Sequence, residues 1–463
     1  MGISLAASSK KNGLSGFGAR SKLPVAAQLA TTPIGLIAFA QKAGRNMLHV
    51  IPDETRTQLY LRGQLNIHWI CDPEIVTELL IGQGRHFPKA KFTKDILGPA
   101  VGNGLMLAEG EKWKVQRRRY SPLFAARNLP MIAKHFARTG EVFAASSLAE
   151  GAEVDIARLS QEATLTNISN VIFSGTETVE PEVIRACMKR FFAFIAKISL
   201  FDLMGFPDWV PRLKWLRSKA PVTSIRDLAR QVIESRRAEG RSEPQDFLDL
   251  MIETLEDQVE DIDTTIDNLL TFVVAGHETA ANTMAWGLYL LARYPDVQSR
   301  LRQEVLSAVG QGEITYESLA KMPRLLSHVR ETLRLYPAGA FFARDAAAEV
   351  TIKGVTFAKG DALFFPVYSL HRHEMLWEEP DNYLPERFLD FRPQRGQYIP
   401  FGDGPRICIG AQYAETEIMV LMAALLRRVE LDISDKPIPE PVLTFTMRPG
   451  GPMMLKVRAV QAG

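Results

Sequence analysis

The stretch FGDGPRICIG, from Phe401 to Gly410, places one of only three cysteines in a loop with three glycines. Glycine lets the backbone bend sharply and approach a flat ligand closely. The apolar run that follows predicts a helix over residues 411–428, whose positive N-terminal end would face the sulfur of Cys408. A buried structural thiol needs none of this setting, whereas a metal-bound thiolate benefits from all of it. The loop therefore predicts that Cys408 binds a metal.

Two further side chains of the loop fit such a ligand. Phe401 can shield the sulfur, and Arg406 can pair with an anionic group of the ligand. A lone cysteine is more often a buried small hydrophobe, but the spacing of the whole loop argues against that interpretation. The spacing resembles the haem-binding loop of cytochrome P450 monooxygenases at every signature position, namely Phe401, Gly404, Arg406, Cys408 and Gly410.

The resemblance implies a fold class, a cofactor and a domain organisation. The expected fold is mainly α with small β-sheets (α+β), a triangular, helix-rich single domain that encloses a haem, as in the soluble bacterial members. We expect this domain to cover residues 23–463, with the haem-binding loop at 401–410. The implied cofactor is haem b, with Cys408 as the iron ligand and with Phe401 and Arg406 in contact with the cofactor.

The stretch AGHETA, residues 275–280, lies within a long apolar helical pattern. One face of this helix combines an aromatic ring, a small side chain and two hydroxyls: Phe272, Ala275, Thr279 and Thr283. By resemblance, Glu278 and Thr279 are the catalytic acid–alcohol pair that relays protons beside bound O2. Two positions depart from the commonest family pattern: the acid is Glu rather than Asp, and Ala280 replaces a frequent Ser or Thr. We expect His277 to pack against another helix rather than to bind iron.

Three more residues are implied to bind the haem propionates. Trp113 and Arg117 lie one helical turn apart in the basic stretch GEKWKVQRRR, residues 110–119. Arg344 in FFARDA matches a third propionate-binding position. A fork-shaped guanidinium suits a carboxylate. The remaining cations of 110–119 are either an ordinary solvated surface or, by resemblance, part of a docking surface for an electron donor.

Another motif of the family has a structural role. The stretch ETLR places Glu331 and Arg334 on one helical face, and their apolar neighbours favour burial. The family supplies Arg387 from PERF as a third member. We expect these residues to hold the segment that leads to the cysteine loop.

Composition limits the class of protein. The chain has 463 residues, 46% of them hydrophobic and 23% charged, with a formal net charge of +2, which gives no case for nucleic-acid binding. Three widely spaced cysteines fit a reducing, cytoplasmic compartment. The longest apolar runs are shorter than the ~20 residues of a transmembrane helix, so we expect no transmembrane anchor. Residues 1–22, basic and free of acids, are either a flexible tail or a mitochondrial targeting segment.

Patterns along the chain predict mostly helix, with strands that are distant in sequence. Alternation predicts strands at 58–70, at 350–367 with a turn at Lys353-Gly354, and in 441–457. Helical periodicity is clearest in four segments: 130–148, 261–293, 318–336 and 411–428. The resemblance assigns four apolar segments to a substrate pocket: 89–106, 191–206, 338–342 and 443–447.

The functional hypothesis is a monomeric monooxygenase that inserts one atom of O2 into an apolar organic substrate such as a fatty acid, terpenoid or steroid. The chain ends about 50 residues after Cys408, so we expect no flavin domain. Electrons would come from NAD(P)H through a separate partner, a ferredoxin with its reductase. Two alternatives stay open: a peroxide-using or reductase-independent haem-thiolate enzyme that acts on lipids, and a non-catalytic haem sensor.

Overall fold

The computed structural model describes residues 23–25, 42–63, 66–146, 151–172, 183, 186–188, 190–191, 219–239, 247–256 and 261–459. The predicted N-terminal tail at 1–22 lies outside these residues. So does the predicted pocket segment 191–206, except for Phe191.

Helices dominate the described residues, as predicted. They are α1 (Pro73–Thr77), α2 (Lys91–Val101), α3 (Gly110–Tyr120), α4 (Leu129–Ser146), α5 (Ile156–Ile172), α6 (Lys219–Glu239), α7 (Phe247–Glu256), α8 (Ile262–Arg293), α9 (Pro295–Val309), α10 (Tyr316–Leu319), α11 (Pro323–Leu335), α12 (Val367–Leu370), α13 (Arg387–Asp390) and α14 (Ala411–Arg428). In the part of the chain that the structure describes, none of them combines the length and hydropathy that a bilayer crossing requires.

The strands are short and form small sheets. They are β1 (Tyr60–Arg62), β2 (Ile67–Ile70), β3 (Glu153–Asp155), β4 (Phe342–Asp345), β5 (Val350–Ile352), β6 (Val355–Phe357), β7 (Ala362–Phe365), β8 (Val429–Ile433), β9 (Pro441–Leu443), β10 (Met447–Pro449) and β11 (Met454–Ala459). One sheet has the order β1-β2-β7-β4, with β2 and β7 parallel, and another has the order β3-β11-β8. The hairpins β5–β6 and β9–β10 complete the set. All three predicted strand regions are confirmed, and the left-handed backbone of Lys353 and Gly354 makes the predicted turn.

Helix α8 is the centre of the molecule. The carboxylate of Asp261 accepts a hydrogen bond of 2.6 Å from the backbone N–H of Thr264, and this N-cap starts the helix. From there α8 runs for 32 residues, most of them buried, because its polar positions are few. It packs against α5 on one side and against α11 and α14 on others. The long helix therefore connects the elements that surround the candidate site.

One predicted helix is wrong in its extent. The periodic pattern over 318–336 predicts one helix, but the structure has two, α10 and α11, with a break before Pro323. Proline lacks a backbone N–H and clashes with the preceding turn inside a helix, whereas it is well tolerated in the first turn. Pro323 therefore begins a new helix.

The Glu331–Arg334 pair on α11 is fully buried. Two parallel hydrogen bonds of 2.8 Å join the guanidinium of Arg334 to the carboxylate of Glu331, and Arg387 approaches the same carboxylate at 3.3 Å. Arg334 also donates to the carbonyls of His371, Pro380 and Asn382. A buried ion pair of this kind needs such additional partners. The pair thereby ties α11 to the segment 371–382, which precedes the cysteine loop.

Candidate functional site

A cavity of about 450 Å³ lies between α8, α2, the loop 401–410, the segment 338–344 and the tip of the β9–β10 hairpin. Its lining is largely apolar. Of the predicted site residues, five line it: Thr279, Arg344, Phe401, Arg406 and Cys408. Trp113, Arg117 and Glu278 lie outside the lining. Three of the four segments predicted to form a pocket contribute to this one cavity, and the fourth lies mainly outside the described residues.

The loop owes its shape to short-range hydrogen bonds and one glycine. The backbone N–H of Cys408 donates to the carbonyl of Phe401 at 2.8 Å, and the carboxylate of Asp403 accepts from the N–H of Gly404 at 2.7 Å. Gly404 has φ of +71°, and a Cβ there would lie 2.5 Å from the backbone oxygen of Leu80. No other residue fits that position without moving the backbone, which explains the signature glycine physically.

The sulfur of Cys408 opens onto the cavity. The side chain is accessible there but lies deep within the protein, and this burial raises the pKa of the thiol. The backbone N–H of Gly410 and the charge of Arg117 act in the opposite direction and favour the thiolate. Gly410 immediately precedes α14, so the positive end of that helix adds to the same effect.

Beside the sulfur, Arg406 is fixed by three contacts. It donates to the backbone oxygen of Ala108 at 2.6 Å, pairs with Glu109, and lies over the ring of Trp113 at 4.0 Å. Trp113, a predicted propionate partner, is therefore in direct contact with Arg406, which was predicted to pair with an anionic group of the ligand. The ring supports a guanidinium that a carboxylate ligand could reach from the cavity.

The cavity wall carries an excess of positive charge. Burial, and then the nearby charge of Arg406, lowers the pKa of Arg344 to about 10. Burial, and then the charges of Arg344 and Arg406, lowers the pKa of Lys89 to about 7. Lys89 also donates through its ammonium to the carbonyl of Met106. The carboxylate of Glu109 acts on all three of these cations, and Asp403 also lines the cavity.

The charges along the cavity can be compared with those of haem, which carries two carboxylates. Burial, and then the charges of neighbouring cations, disfavour the charged forms of Lys89, Arg344 and Arg406, and a doubly anionic ligand would relieve this. A flat apolar macrocycle with two carboxylates beside an accessible thiol matches the lining. The residues present therefore fit a haem group. The sequence placed Lys89 in the predicted pocket segment 89–106 but gave no motif that singled out its charge.

The two members of the predicted proton relay lie in different surroundings. The hydroxyl of Thr279 donates to the carbonyl of Ala275 within α8 at 2.6 Å. Burial raises the pKa of the Glu278 carboxyl, and the side chain of Thr446 and the charge of Arg448 act against that rise. The neighbouring His277 contacts the hydroxyl of Thr164 on α5 at 2.9 Å through Nδ1, which confirms that it packs against another helix.

Sequence reasoning also missed a buried acid in the cavity wall. Glu417 on α14 accepts a hydrogen bond of 2.8 Å from the side-chain amide of Asn167 on α5. Burial raises the pKa of this carboxyl to about 8. The sequence did contain a signal for this buried acid. Glu417 lies inside the largely apolar predicted helix 411–428, and a carboxylate that is buried there needs a hydrogen-bond partner.

Comparisons with known proteins agree with the architecture. The family model described as Cytochrome P450 matches residues 43–457. The chain is 30% identical over 426 residues to Cytochrome P450 3A5 of Homo sapiens, covering 85% of this chain and 83% of that protein. It is 29% identical over 431 residues to Leukotriene-B4 omega-hydroxylase 3 of Mus musculus, with 85% and 80% covered. Cytokinin hydroxylase of Arabidopsis thaliana is 28% identical over 394 residues, with 82% and 76% covered.

These relatives come from mammals and a plant, so the expected likeness to bacterial members stays a prediction. The match extends over most of the chain and includes the helices and sheets described above. The chain therefore belongs to the cytochrome P450 family and is a monooxygenase of that family.

Proposed function

We propose that Cys408 binds the iron of haem b and that this enzyme inserts one oxygen atom of O2 into an apolar organic substrate. One observation carries the proposal: an accessible thiol, a group of cations and the Thr279 face of α8 line a single apolar cavity. When bound, the haem supplies the activation of O2 and the transfer of oxygen, which thiolate ligation favours.

The protein contributes binding and orientation. Phe401 lines the cavity together with Cys408 and would shield its sulfur, and the N–H of Gly410 would stabilise the negative charge of the thiolate. Arg344 and Arg406 line the cavity and would hold the propionates. Trp113 supports Arg406, and the charge of Arg117 would stabilise the thiolate. Lys89 adds a third cation to this surface.

We assign proton delivery to the acid–alcohol pair on α8, Glu278 and Thr279. Thr279 lines the cavity, and Glu278 is the next residue of the helix. Burial raises the pKa of Glu278 and so brings the carboxyl closer to a range in which it can both release and take up a proton near neutrality. This placement supports the catalytic roles that we propose for Glu278 and Thr279.

An apolar substrate follows from the lining. Phenylalanine, isoleucine and leucine side chains from α2, α5 and α8 surround the space above the thiol. Such a surface buries a hydrocarbon without leaving polar groups unpaired. Fatty acids, terpenoids and steroids share this chemistry, and the substrate class is proposed at that level.

For electron supply we assign a docking surface on α3. Lys112, Lys114 and Arg118 are exposed there, and Val115 is an exposed apolar side chain among them. Ile407, next to Cys408, is exposed as well. An apolar centre with a cationic rim suits an acidic protein. The proposed donor is a ferredoxin, reduced from NAD(P)H by its reductase, and the cysteine usage suggests a cytoplasmic location.

Charge reversal tests this surface. Arg118→Glu should slow reduction by a ferredoxin at least about tenfold at low salt and remove its salt dependence, since steering accelerates association by about 10–10³-fold. Lys321→Glu, an exposed cation away from α3, is the matched control and should leave the rate unchanged. An equal rate for Arg118→Glu would contradict the assignment.

The proposed ligand is tested by spectroscopy of the ferrous protein with carbon monoxide. The wild type should show the absorption band characteristic of thiolate-bound haem, and Cys408→His should keep haem but lose that band. Cys187→Ser is the matched control and should keep it. Turnover with reductant and O2, compared with turnover on peroxide alone, separates the monooxygenase from a peroxide-using enzyme, and the absence of any product would favour a sensor.

A further inference from the structure

A buried polar pair joins two helices of the cavity wall. The side-chain amide of Asn167 on α5 donates from Nδ2 to Oε1 of Glu417 on α14 at 2.8 Å. Both side chains are buried, Asn167 completely. The two helices pack mainly against shared neighbours, α4 and α8, rather than against each other. The hydrogen bond is therefore a direct link between α5 and α14.

The cavity reaches into the space that this pair bridges. Ile168 and Ile172 of α5 line it, and so do Tyr413 and Glu417 of α14. Glu417 lies two helical turns after Gly410, on the same face of α14 and about 10 Å further along the helix. A shift of this pair would therefore be passed along a rigid helix to the end of the cysteine loop.

One oxygen of the pair has a proton missing. The Oδ1 atom of Asn167 is buried and has no hydrogen-bond partner among the described residues. A carboxylate only accepts hydrogen bonds, whereas a protonated carboxyl group also has one O–H donor. A protonated Glu417 can donate to Oδ1 while it accepts from Nδ2, so that two hydrogen bonds join the planar groups. An unpaired buried amide oxygen costs free energy, so the geometry favours the neutral acid.

The surroundings of Glu417 also favour the neutral acid. Burial raises the pKa of this carboxyl to about 8, and within the described residues only the hydrogen bond from Asn167 acts against that rise. The titratable side chains of the packed elements are exposed or engaged elsewhere. Those that are exposed, fully or in part, are Arg158 and Glu162 of α5 and Lys134, His135 and Arg138 of α4. Those that are engaged are Glu415 with Arg330, Glu141 with Arg427, Arg302 with Glu430, and His277 with Thr164.

We propose that Glu417 is a protonated positioning residue, which shares two hydrogen bonds with Asn167 and holds α14 to α5 until alkaline pH removes its proton. An ionised carboxylate would leave Oδ1 of Asn167 unpaired and would place a charge in the apolar wall. Water would then enter between the helices and loosen the start of α14. The effect on the Cys408 loop rests on the proposed function, whereas the protonation state of Glu417 does not.

Infrared spectroscopy of the holoprotein at pH 6 tests the protonation state. The difference between wild type and Glu417→Gln should contain the C=O stretch of a protonated carboxyl group. Glu415→Gln is the matched control, because Glu415 lies on the same helix but pairs with Arg330 at 3.0 Å, and its difference spectrum should lack that band. A spectrum of Glu417→Gln that lacks no such band would overturn the proposal. If this variant does not fold, Asn167→Ala replaces it and should move the band to higher frequency, since the carboxyl loses its partner; an unmoved band would overturn the proposal equally.

The pH dependence of unfolding is a second, independent test. Between pH 4.5, the ordinary pKa, and about 8 the folded protein holds a proton that the unfolded chain has lost. The contribution of Glu417 to stability is therefore complete below 4.5 and is lost as the pH rises to 8. Glu417 should raise the equilibrium constant of unfolding by up to about tenfold per pH unit in this window. Measured with urea between pH 6.5 and 8, this rise should be absent in Glu417→Gln and present in Glu415→Gln. The same pH dependence in Glu417→Gln as in the wild type would contradict the proposal.

The effect on the loop is tested by the thiolate band of the ferrous carbon monoxide complex. In the wild type the rate at which this band decays should rise by up to about tenfold per pH unit between pH 6.5 and 8, because it follows the ionised fraction of Glu417. Glu417→Gln mimics the neutral acid and should decay at one rate throughout. Equal dependence on pH in both proteins would remove the role of Glu417 in holding the loop.

The two levels of hypothesis fail differently. A wild type that never shows the thiolate band would remove the proposed function, while infrared spectra and unfolding would still report the proton on Glu417. A normal thiolate band without the infrared signal of Glu417 would remove only the inference about the pair.

Discussion

At the scale of residues, the cavity wall is built from charges that repel one another. Lys89, Arg344 and Arg406 converge on one region with Glu109 as their carboxylate partner. The free protein keeps these cations together because contacts such as that between Arg406 and Trp113 hold them. An anionic cofactor should therefore gain more binding free energy from the three cations together than from any one of them alone.

A substitution of Lys89 tests that view. Lys89→Met keeps the length of the side chain but removes its charge, so haem should dissociate about tenfold faster or more, because a hydrogen bond to a charged group contributes about 1.5–3 kcal/mol. The rate of haem transfer to excess apomyoglobin measures this. Lys94→Met is the matched control, since Lys94 pairs with Glu109 at 3.8 Å but does not line the cavity. Equal rates for both variants would contradict the role of Lys89.

The sequence predicted the residues whose motif is local and missed those defined by distant contacts. Cys408, Arg406 and Phe401 lie within ten residues of one another, so their spacing alone carries the chemistry. The contact of Asn167 with Glu417 spans 250 residues, and the backbones of Lys89 and Arg344 also meet across a long separation in the chain. A single sequence holds no signal for such pairs.

At the scale of elements, the packing of α4 against α14 depends on one glycine. A Cβ at Gly140 of α4 would lie 2.9 Å from the Cβ of Ala424 on α14. Neither atom can rotate away, because each is attached directly to the backbone. Glu141 reinforces the same contact through Arg427 and Arg428 of α14. Since α14 begins at the cysteine loop, this packing helps to position Cys408.

Exchanging the two small residues tests this packing. Gly140→Ala should lower the free energy of unfolding by about 1–3 kcal/mol, because the helices must move apart. Adding Ala424→Gly removes the clash, and the gain and loss of about 1 kcal/mol each in helix propensity then nearly cancel. Urea unfolding of both variants is the measurement. A double variant less stable than Gly140→Ala would contradict the assignment.

Elements were predicted well where both ends carry a local signal. The apolar run between Gly410 and Arg428 has a glycine turn before it and two arginines at its end, and α14 has the predicted bounds. The segment 318–336 was predicted as one helix because the helical spacing of its apolar residues continues across Pro323. The structure shows instead that two helices, α10 and α11, share this spacing.

At the scale of the whole molecule, buried histidines make the fold sensitive to acid. His328 and His371 are fully buried, and burial lowers the pKa of each to about 3. His328 contacts the hydroxyl of Tyr383 at 2.7 Å, and Nε2 of His371 accepts from the N–H of Ile399 at 2.9 Å. A proton on either ring would leave a charge without water around it.

Stability should therefore fall as the pH drops from about 6.5, the ordinary pKa of histidine, towards 3. In this window the unfolded chain binds more protons than the folded protein, so each histidine contributes a slope of up to about 1.4 kcal/mol per pH unit. His328→Gln should reduce the slope of the urea midpoint between pH 5 and 6.5. His86→Gln, at a partly exposed turn, is the control and should leave it unchanged. An equal slope in His328→Gln and the wild type would contradict this account.

The strand Met454–Ala459 pairs with β8 and also with Glu153–Asp155, which lies about three hundred residues earlier. On the ribosome, the nascent chain carries Glu153–Asp155 for a long time before its partner strand exists. That sheet can close only after residue 459 has left the exit tunnel. Until then, the early strand exposes an unpaired edge that a chaperone could bind.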